Sequence, residues 1–290
     1  MIHPLINNLL RKNTLYTAQD YENAIKEIIQ QTVLAGLWRA GFFSHAAFYG
    51  GSALRIFYGL QRFSEDLDFT LIRKKSDFEL TKYFSAIRVE LSSLGFEVDI
   101  EKKIKKITRQ TDSAFIKMNT LLTVINAGAP DDIVSLIPKG KVLKVKFEID
   151  VDPPYPIASE TKFLIEPLSC SVNVVTLPDL FAGKVHALLY RNWKNRVKGR
   201  DWYDFIWFVA SDIKLNIAYL SKRIIQSENK SSDFFLDKEN CKVLLRNAVD
   251  NLNIDSAKRD VLPFLKNTNE VDIWSKDFFY NLINRISFEI

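Results

Sequence analysis

Asp66 and Asp68, in the run S-E-D-L-D-F, are two carboxylates one residue apart in a segment that reads as a short strand. Side chains alternate across a strand, so both acids project from one face while Leu67 and Phe69 turn toward a core. Two hard oxygen donors on one rigid face suit Mg²⁺ or Mn²⁺; Mg²⁺ takes one or two carboxylates and leaves its other positions to water and substrate phosphates. Just upstream, Gly50, Gly51 and Ser52 precede a helix suggested by Ala53, Leu54, Ile56, Phe57 and Tyr58. The glycines permit close backbone approach to an anion, and Ser52 can donate from its hydroxyl and its amide. The arrangement can gather phosphate and divalent metal in one cleft.

Further along, K-V-L-K-V-K-F-E-I-D-V-D (Lys141 to Asp152) alternates apolar and charged residues, the period of a half-buried strand whose Glu148, Asp150 and Asp152 share a face. A helix start follows at T-L-P-D, with Thr176 as N-cap, Pro178 in the first turn and Asp179 at the positive end. Lys184 lies in the middle of that helix. A second helix begins at K-G-R-D-W-Y-D-F, with Asp201 and Asp204 on one face. Antiparallel pairing through Asn192 to Gly199 would bring Lys184 close to these acids.

The string G-G-S-A-L-R-x-x-Y-G-x-x-R-x-S-E-D-L-D-F resembles the polymerase-β-type nucleotidyltransferase superfamily, and within it the AbiEii/AbiGii-type toxin nucleotidyltransferases of bacterial abortive-infection and toxin–antitoxin systems. The lysine-bearing L-P-D-L-F-A-G-K-V-H-A-L-L-Y-R and the later R-D-x-x-D extend the resemblance to about Asp204. It implies an α+β fold, a nucleotidyltransferase-type mixed sheet packed with helices and followed by a mainly helical domain. It also implies transfer of a nucleoside monophosphate from a nucleoside triphosphate to an acceptor hydroxyl, with RNA as the acceptor and the 3′ end of tRNA as its candidate site, and with a cognate antitoxin as restraint. In that reading Asp66, Asp68 and Asp150 hold metal, and Asp150 acts on the acceptor hydroxyl. Gly51, Ser52, Arg62, Ser64 and Lys184 bind the nucleotide, with Asp204 nearer to it than Asp201.

Composition fits such an enzyme. The 290 residues are 47% hydrophobic, enough for a core and two domains, expected as 1–155 and 156–290 with a break at Pro153, Pro154 and Pro156. No apolar run approaches a membrane span and the first residues lack the ordered zones of a secretory signal, so a cytoplasmic protein with no membrane partner is expected. Cys170 and Cys241 read as core residues, and His3, His45 and His186 show no ligand spacing.

The net charge of +5 is modest, but Lys102, Lys103, Lys105 and Lys106 form one basic run. Arg191, Lys194, Arg196, Lys198 and Arg200 form another beside Trp193 and Trp202, a mixture that can track RNA phosphates and stack bases. That second run favours RNA over transfer to a small molecule such as an antibiotic, and the joint presence of Gly51, Ser52, Asp66, Asp68, Asp150 and Lys184 argues against a third reading, a non-catalytic protein that binds RNA or an antitoxin.

Among the supporting elements, Asp20 is expected to cap a helix running to about Gly41, and Ser76 or Asp77 another reaching Gly95. Strands are expected around Phe96, Val98 and Ile100, around Ile104 and Ile107, and from Phe115 through Met118 to Leu122. Helical patterns cover Leu215 to Ile225, Cys241 to Leu252 and Phe278 to Ile286, with a loop at Ser227 to Asp233.

Overall fold

Two helices lead into the sheet. Helix α1 (Pro4–Arg11) starts at a proline, whose missing N–H costs nothing in a first turn. Helix α2 (Ala18–Arg39) starts at Thr17, whose hydroxyl oxygen accepts from the Asp20 N–H while the Asp20 carboxylate accepts from the Thr17 N–H. Asp20 is therefore the reciprocal partner in a capping box, three residues inside the end that the sequence assigned to it.

The computed structural model describes residues 3–12, 15–103, 111–191 and 198–289. Its two compact units are each assembled from separate pieces of chain. The first comprises Met1–Phe57, Glu65–Asp152 and Ser159–Val174, and the second Tyr58–Ser64, Pro153–Ala158 and Val175–Ile290. The break expected near residue 155 thus starts a short excursion: six residues enter the second unit, and the chain then returns to the first. Periodicity could not show this, because the returning strands look locally like any others.

In the first unit β1 (Ala46–Tyr49), α3 (Gly50–Tyr58) and β2 (Asp66–Leu71) come in succession, followed by α4 (Phe84–Ser93), β3 (Asp99–Lys103) and β4 (Thr111–Asn119). Two short helices, α5 (Thr120–Asn126) and α6 (Asp131–Ser135), precede β5 (Val142–Asp150), β6 (Ser159–Leu164) and β7 (Cys170–Val175). Among the described residues they form a seven-stranded mixed sheet in the order β3-β4-β5-β2-β1-β7-β6. Strand β2 runs antiparallel to β1 and parallel to β5. Phe69 of β2 lies 4.7 Å from Phe147 of β5 and 5.1 Å from Phe48 of β1, ring centre to ring centre, so the inner strands share an aromatic core face.

Several local expectations shift here. The helix foreseen from Ser76 begins only with a 3-10 turn at Leu80–Tyr83 and becomes α4. Leu122 lies on α5, because the Asn119 side chain accepts from the Leu122 N–H and caps a helix where alternation alone reads as continuing strand. Ile104, Ile107, Lys105 and Lys106 lie outside the described residues.

The second unit is mainly helical. It contains α7 (Leu177–Tyr190), α8 (Gly199–Ala210), β8 (Leu215–Asn216), α9 (Ile217–Glu228), α10 (Lys238–Asp250), α11 (Ile254–Val261), α12 (Lys276–Asn284) and β9 (Phe288–Glu289), the last parallel to β8. Phe181 of α7 stacks on Phe208 of α8 at 4.6 Å. Helix α11, I-D-S-A-K-R-D-V, is too polar to announce itself by periodicity; its Ala257 and Val261 are buried. Helix α9 continues to Glu228, past the start of the expected loop. Cys170 and Cys241 are free and buried, as their surroundings suggested.

Candidate active site

Strand β2 is half-buried at Asp66 and Asp68 and fully buried at Leu67 and Phe69, so the two carboxylates do share the outward face. The register with β5 sets Asp66 opposite Lys146, Asp68 opposite Glu148 and Thr70 opposite Asp150. Paired residues project to the same side, so acids accumulate on this face with one lysine among them. Glu148, rather than the expected Asp150, is the acid beside Asp68. Asp150 stands one row further along, where its carboxylate accepts from the Asp152 N–H at 3.1 Å and shapes the turn that ends the strand.

Lys146 gives no signal in the sequence, since an alternating lysine on a strand looks like a solvated edge. Its ammonium donates to Glu148 Oε2 at 2.8 Å. Burial alone would pull its pKa down; the bond to Glu148, with the charges of Glu148, Asp66 and Asp68, raises it instead.

The glycines and Ser52 prove to lie inside the first turn of α3, which puts backbone N–H groups of a helix start beside the acidic strand. Gly50 is required twice over. Its φ is +83°, and a Cβ there would come within 2.6 Å of Asp68 Oδ2. The Ser52 hydroxyl donates to the Asp66 carbonyl, tying the helix start to the strand start. That hydroxyl is buried and engaged, so any anion at this turn meets amides.

The second unit carries its own charged cluster. Arg62 donates from Nε and Nη2 to the two oxygens of Asp204 at 2.6 and 2.7 Å, and from Nη1 to the Phe63 carbonyl. Both side chains are buried, at 3% and 0% exposure. The guanidinium expected as a phosphate ligand is thus consumed by a carboxylate. Lys184 bridges Asp204 at 2.7 Å and Asp201 at 3.1 Å, which places the mid-helix lysine of α7 against both acids of α8. Burial would lower the Lys184 pKa, but Asp204 and then Asp201 raise it above its ordinary value, with Arg62 opposing. Asp201 is held below the carboxylate range despite burial, chiefly by Lys184 and then Lys198. Ser64 is also buried in this unit. Asp179 serves a structural end: it accepts from the Ala158 N–H and from Asn216 Nδ2, anchoring the short Pro153–Ala158 excursion.

Of the basic run, Arg191, Lys198 and Arg200 are described, whereas Lys194, Arg196 and Trp193 lie outside the described residues. The Arg200 guanidinium covers the Phe264 ring at 4.1 Å. Trp202 is buried, 4.9 Å from Phe279, and is core rather than a platform for a base. Burial pushes the Lys198 ammonium down to about 8, with Asp201 opposing and Arg191, Arg200 and Lys184 adding to the effect.

Among the described residues no group of three or more His, Cys, Asp or Glu side chains could hold a metal. A Mg²⁺-type ion does not need one, because one or two carboxylates with waters and substrate phosphates suffice. The donor chemistry of Asp66 and Asp68 fits that description, as does the bare Gly50 backbone facing Asp68. The Ser113 hydroxyl, fully buried in the row of Glu148, has no hydrogen-bond partner among the described residues and adds a spare polar atom there. No helix among the described residues is long and apolar enough to cross a membrane.

The family model described as nucleotidyl transferase AbiEii toxin, type IV toxin–antitoxin system, matches residues 32–279. Among curated proteins no sequence matches. Similar solved structures include JHP933 from Helicobacter pylori, 16% identical, covering 90% of this chain and 88% of its own, with a TM-score of 0.49. Another is the nucleotidyltransferase toxin MenT4 from Mycobacterium tuberculosis, 14% identical, covering 98% of both chains, with a TM-score of 0.47.

Proposed function

Because the chain belongs to the AbiEii family of toxin nucleotidyltransferases of type IV toxin–antitoxin systems, we propose that it transfers a nucleoside monophosphate to an RNA hydroxyl, that of a tRNA 3′ end. The family carries with it a nucleoside triphosphate as substrate and a cognate antitoxin. The observation that carries the reading is the acidic face of β2 with the glycine start of α3 against it. Asp66 and Asp68 would hold Mg²⁺ or Mn²⁺, and the ion, when bound, would supply neutralisation of the charge that develops during transfer.

The chain's own residues do the rest. Backbone amides at Gly50 to Ser52 receive phosphate oxygens, and Asp68 is held in place against Gly50. The acceptor oxygen attacks the α-phosphorus, the bond to the α,β-bridging oxygen breaks, and pyrophosphate leaves with that electron pair. Glu148, supported by its register beside Asp68, takes the place foreseen for Asp150 and receives the hydroxyl proton. Lys184, kept charged by Asp201 and Asp204, is the cation assigned to the phosphates. Arg191, Lys194, Arg196, Lys198 and Arg200 guide the RNA.

The test is to incubate the protein with each labelled nucleoside triphosphate, Mg²⁺ and total RNA. Label in a tRNA-sized band, sensitive to removal of its 3′ end, is the expected result. Label only in a small hydroxylated compound would overturn the RNA acceptor.

A further inference from the structure

The acidic face contains its own cation, and the reading of Asp66 and Asp68 as metal ligands gives that cation a task. Asp68 and Glu148 are direct neighbours across β2 and β5, a like-charge pair that destabilises a sheet unless something positive lies close. Lys146 is that group. It stands opposite Asp66 on the same face, and its ammonium lies 2.8 Å from Glu148. The pair is largely shielded, with side-chain exposures of 31% for Lys146 and 21% for Glu148.

A divalent ion at Asp66 and Asp68 brings a second positive charge to a face whose charge Lys146 already offsets. Two cations repel there, and the flexible lysine is the one able to leave. A nucleoside triphosphate offers the departing ammonium new oxygens.

We propose that Lys146 is a resident counter-cation that competes with the metal for the acidic face and yields it only when a nucleotide arrives to receive the ammonium. Metal alone then binds weakly, and metal and triphosphate bind as a coupled pair. Coupling of this kind is reciprocal: the nucleotide strengthens metal binding by the factor by which metal strengthens nucleotide binding.

The experiment measures Mn²⁺ affinity by electron paramagnetic resonance, with and without a non-hydrolysable nucleoside triphosphate. The forms compared are the wild type, Lys146→Met, Lys146→Arg and Asp66→Asn. Without nucleotide, Lys146→Met should bind Mn²⁺ about tenfold more tightly than wild type, within the usual range of coupling between sites. With nucleotide the order should reverse, because the variant has no ammonium to offer the phosphates. Lys146→Arg keeps the charge and should behave as wild type in both states; Lys146→Gln replaces the methionine variant if that one fails to fold. Equal Mn²⁺ affinity of wild type and Lys146→Met without nucleotide overturns the inference while leaving the metal site in place. Mn²⁺ binding that Asp66→Asn does not weaken overturns the metal assignment and this inference together.

Discussion

Gly50 has no side chain and Asp68 fills the space that one would occupy, so the fit between turn and strand depends on single atoms. At this scale Asp66→Asn or Asp68→Asn should lower nucleotide transfer by about a hundred- to a thousandfold while the melting temperature barely moves, since each change removes charge from a half-exposed face and no core volume. Near-normal transfer by a folded variant would remove that acid from the site. A second comparison separates the two candidates on β5. Glu148→Gln should cost far more activity than Asp150→Asn, because Glu148 is the neighbour of Asp68 and Asp150 shapes a turn. The reverse ranking, measured as kcat/KM at fixed Mg²⁺, would restore Asp150. The shared face of Asp66 and Asp68 and the meeting of Lys184 with Asp201 and Asp204 were legible because strand alternation and helical spacing fix them. The fates of Arg62 and the Ser52 hydroxyl were not, since a sequence does not reveal which buried partner takes a donor.

Helices α7 and α8 bring Lys184, Asp201 and Asp204 together, and Asp204 takes the guanidinium of Arg62, whose own segment comes from far upstream. Arg62→Met removes one of the two cations on buried Asp204 and leaves Lys184 as the other, so it should destabilise the protein by about 1–3 kcal/mol. The double variant Arg62→Met/Lys184→Met takes both cations away and should lose more, toward about 3–5 kcal/mol, and no further loss in urea titrations would show that Asp204 tolerates isolation. Where α8 meets α11, a Cβ on Gly199 would lie 1.8 Å from the Ala257 carbonyl oxygen. Backbone must then move, and Gly199→Ala should cost about 1–3 kcal/mol, read as a lower urea midpoint at constant slope. An unchanged midpoint would mean the helices separate freely. Strong periodicity made α2, α7 and β5 readable, whereas α11 went unread because few apolar residues mark its buried side.

For the whole molecule, the proposed RNA acceptor is tested through charge. Replacing Arg191, Lys194, Arg196, Lys198 and Arg200 by glutamine should weaken RNA binding and flatten its salt dependence, by roughly 0.7 in log–log slope for each single-strand phosphate that the protein no longer neutralises. Lys198 adds a pH signature. Its ammonium is charged below about 8 and neutral above, so RNA affinity should fall as pH rises from 7 to 9. Lys198→Arg should remove that dependence, and a flat wild-type profile would place Lys198 away from the RNA. The mixed sheet and the helical second unit follow the sequence closely. The interleaving of the units does not, since Tyr58–Ser64 and Ser159–Val174 carry no local sign of the unit they join.

That interleaving acquires a meaning on the ribosome. Arg62 emerges 142 residues before the carboxylate that will hold it. At the usual pace of synthesis the delay is on the order of ten seconds. Lys184, Asp201 and Asp204 are also translated late, so a nascent chain holds its acidic strand well before it owns the buried ion-pair cluster around Asp204. A message cut or stalled before Asp204 is read yields a polypeptide whose Arg62 lacks the carboxylate that holds it.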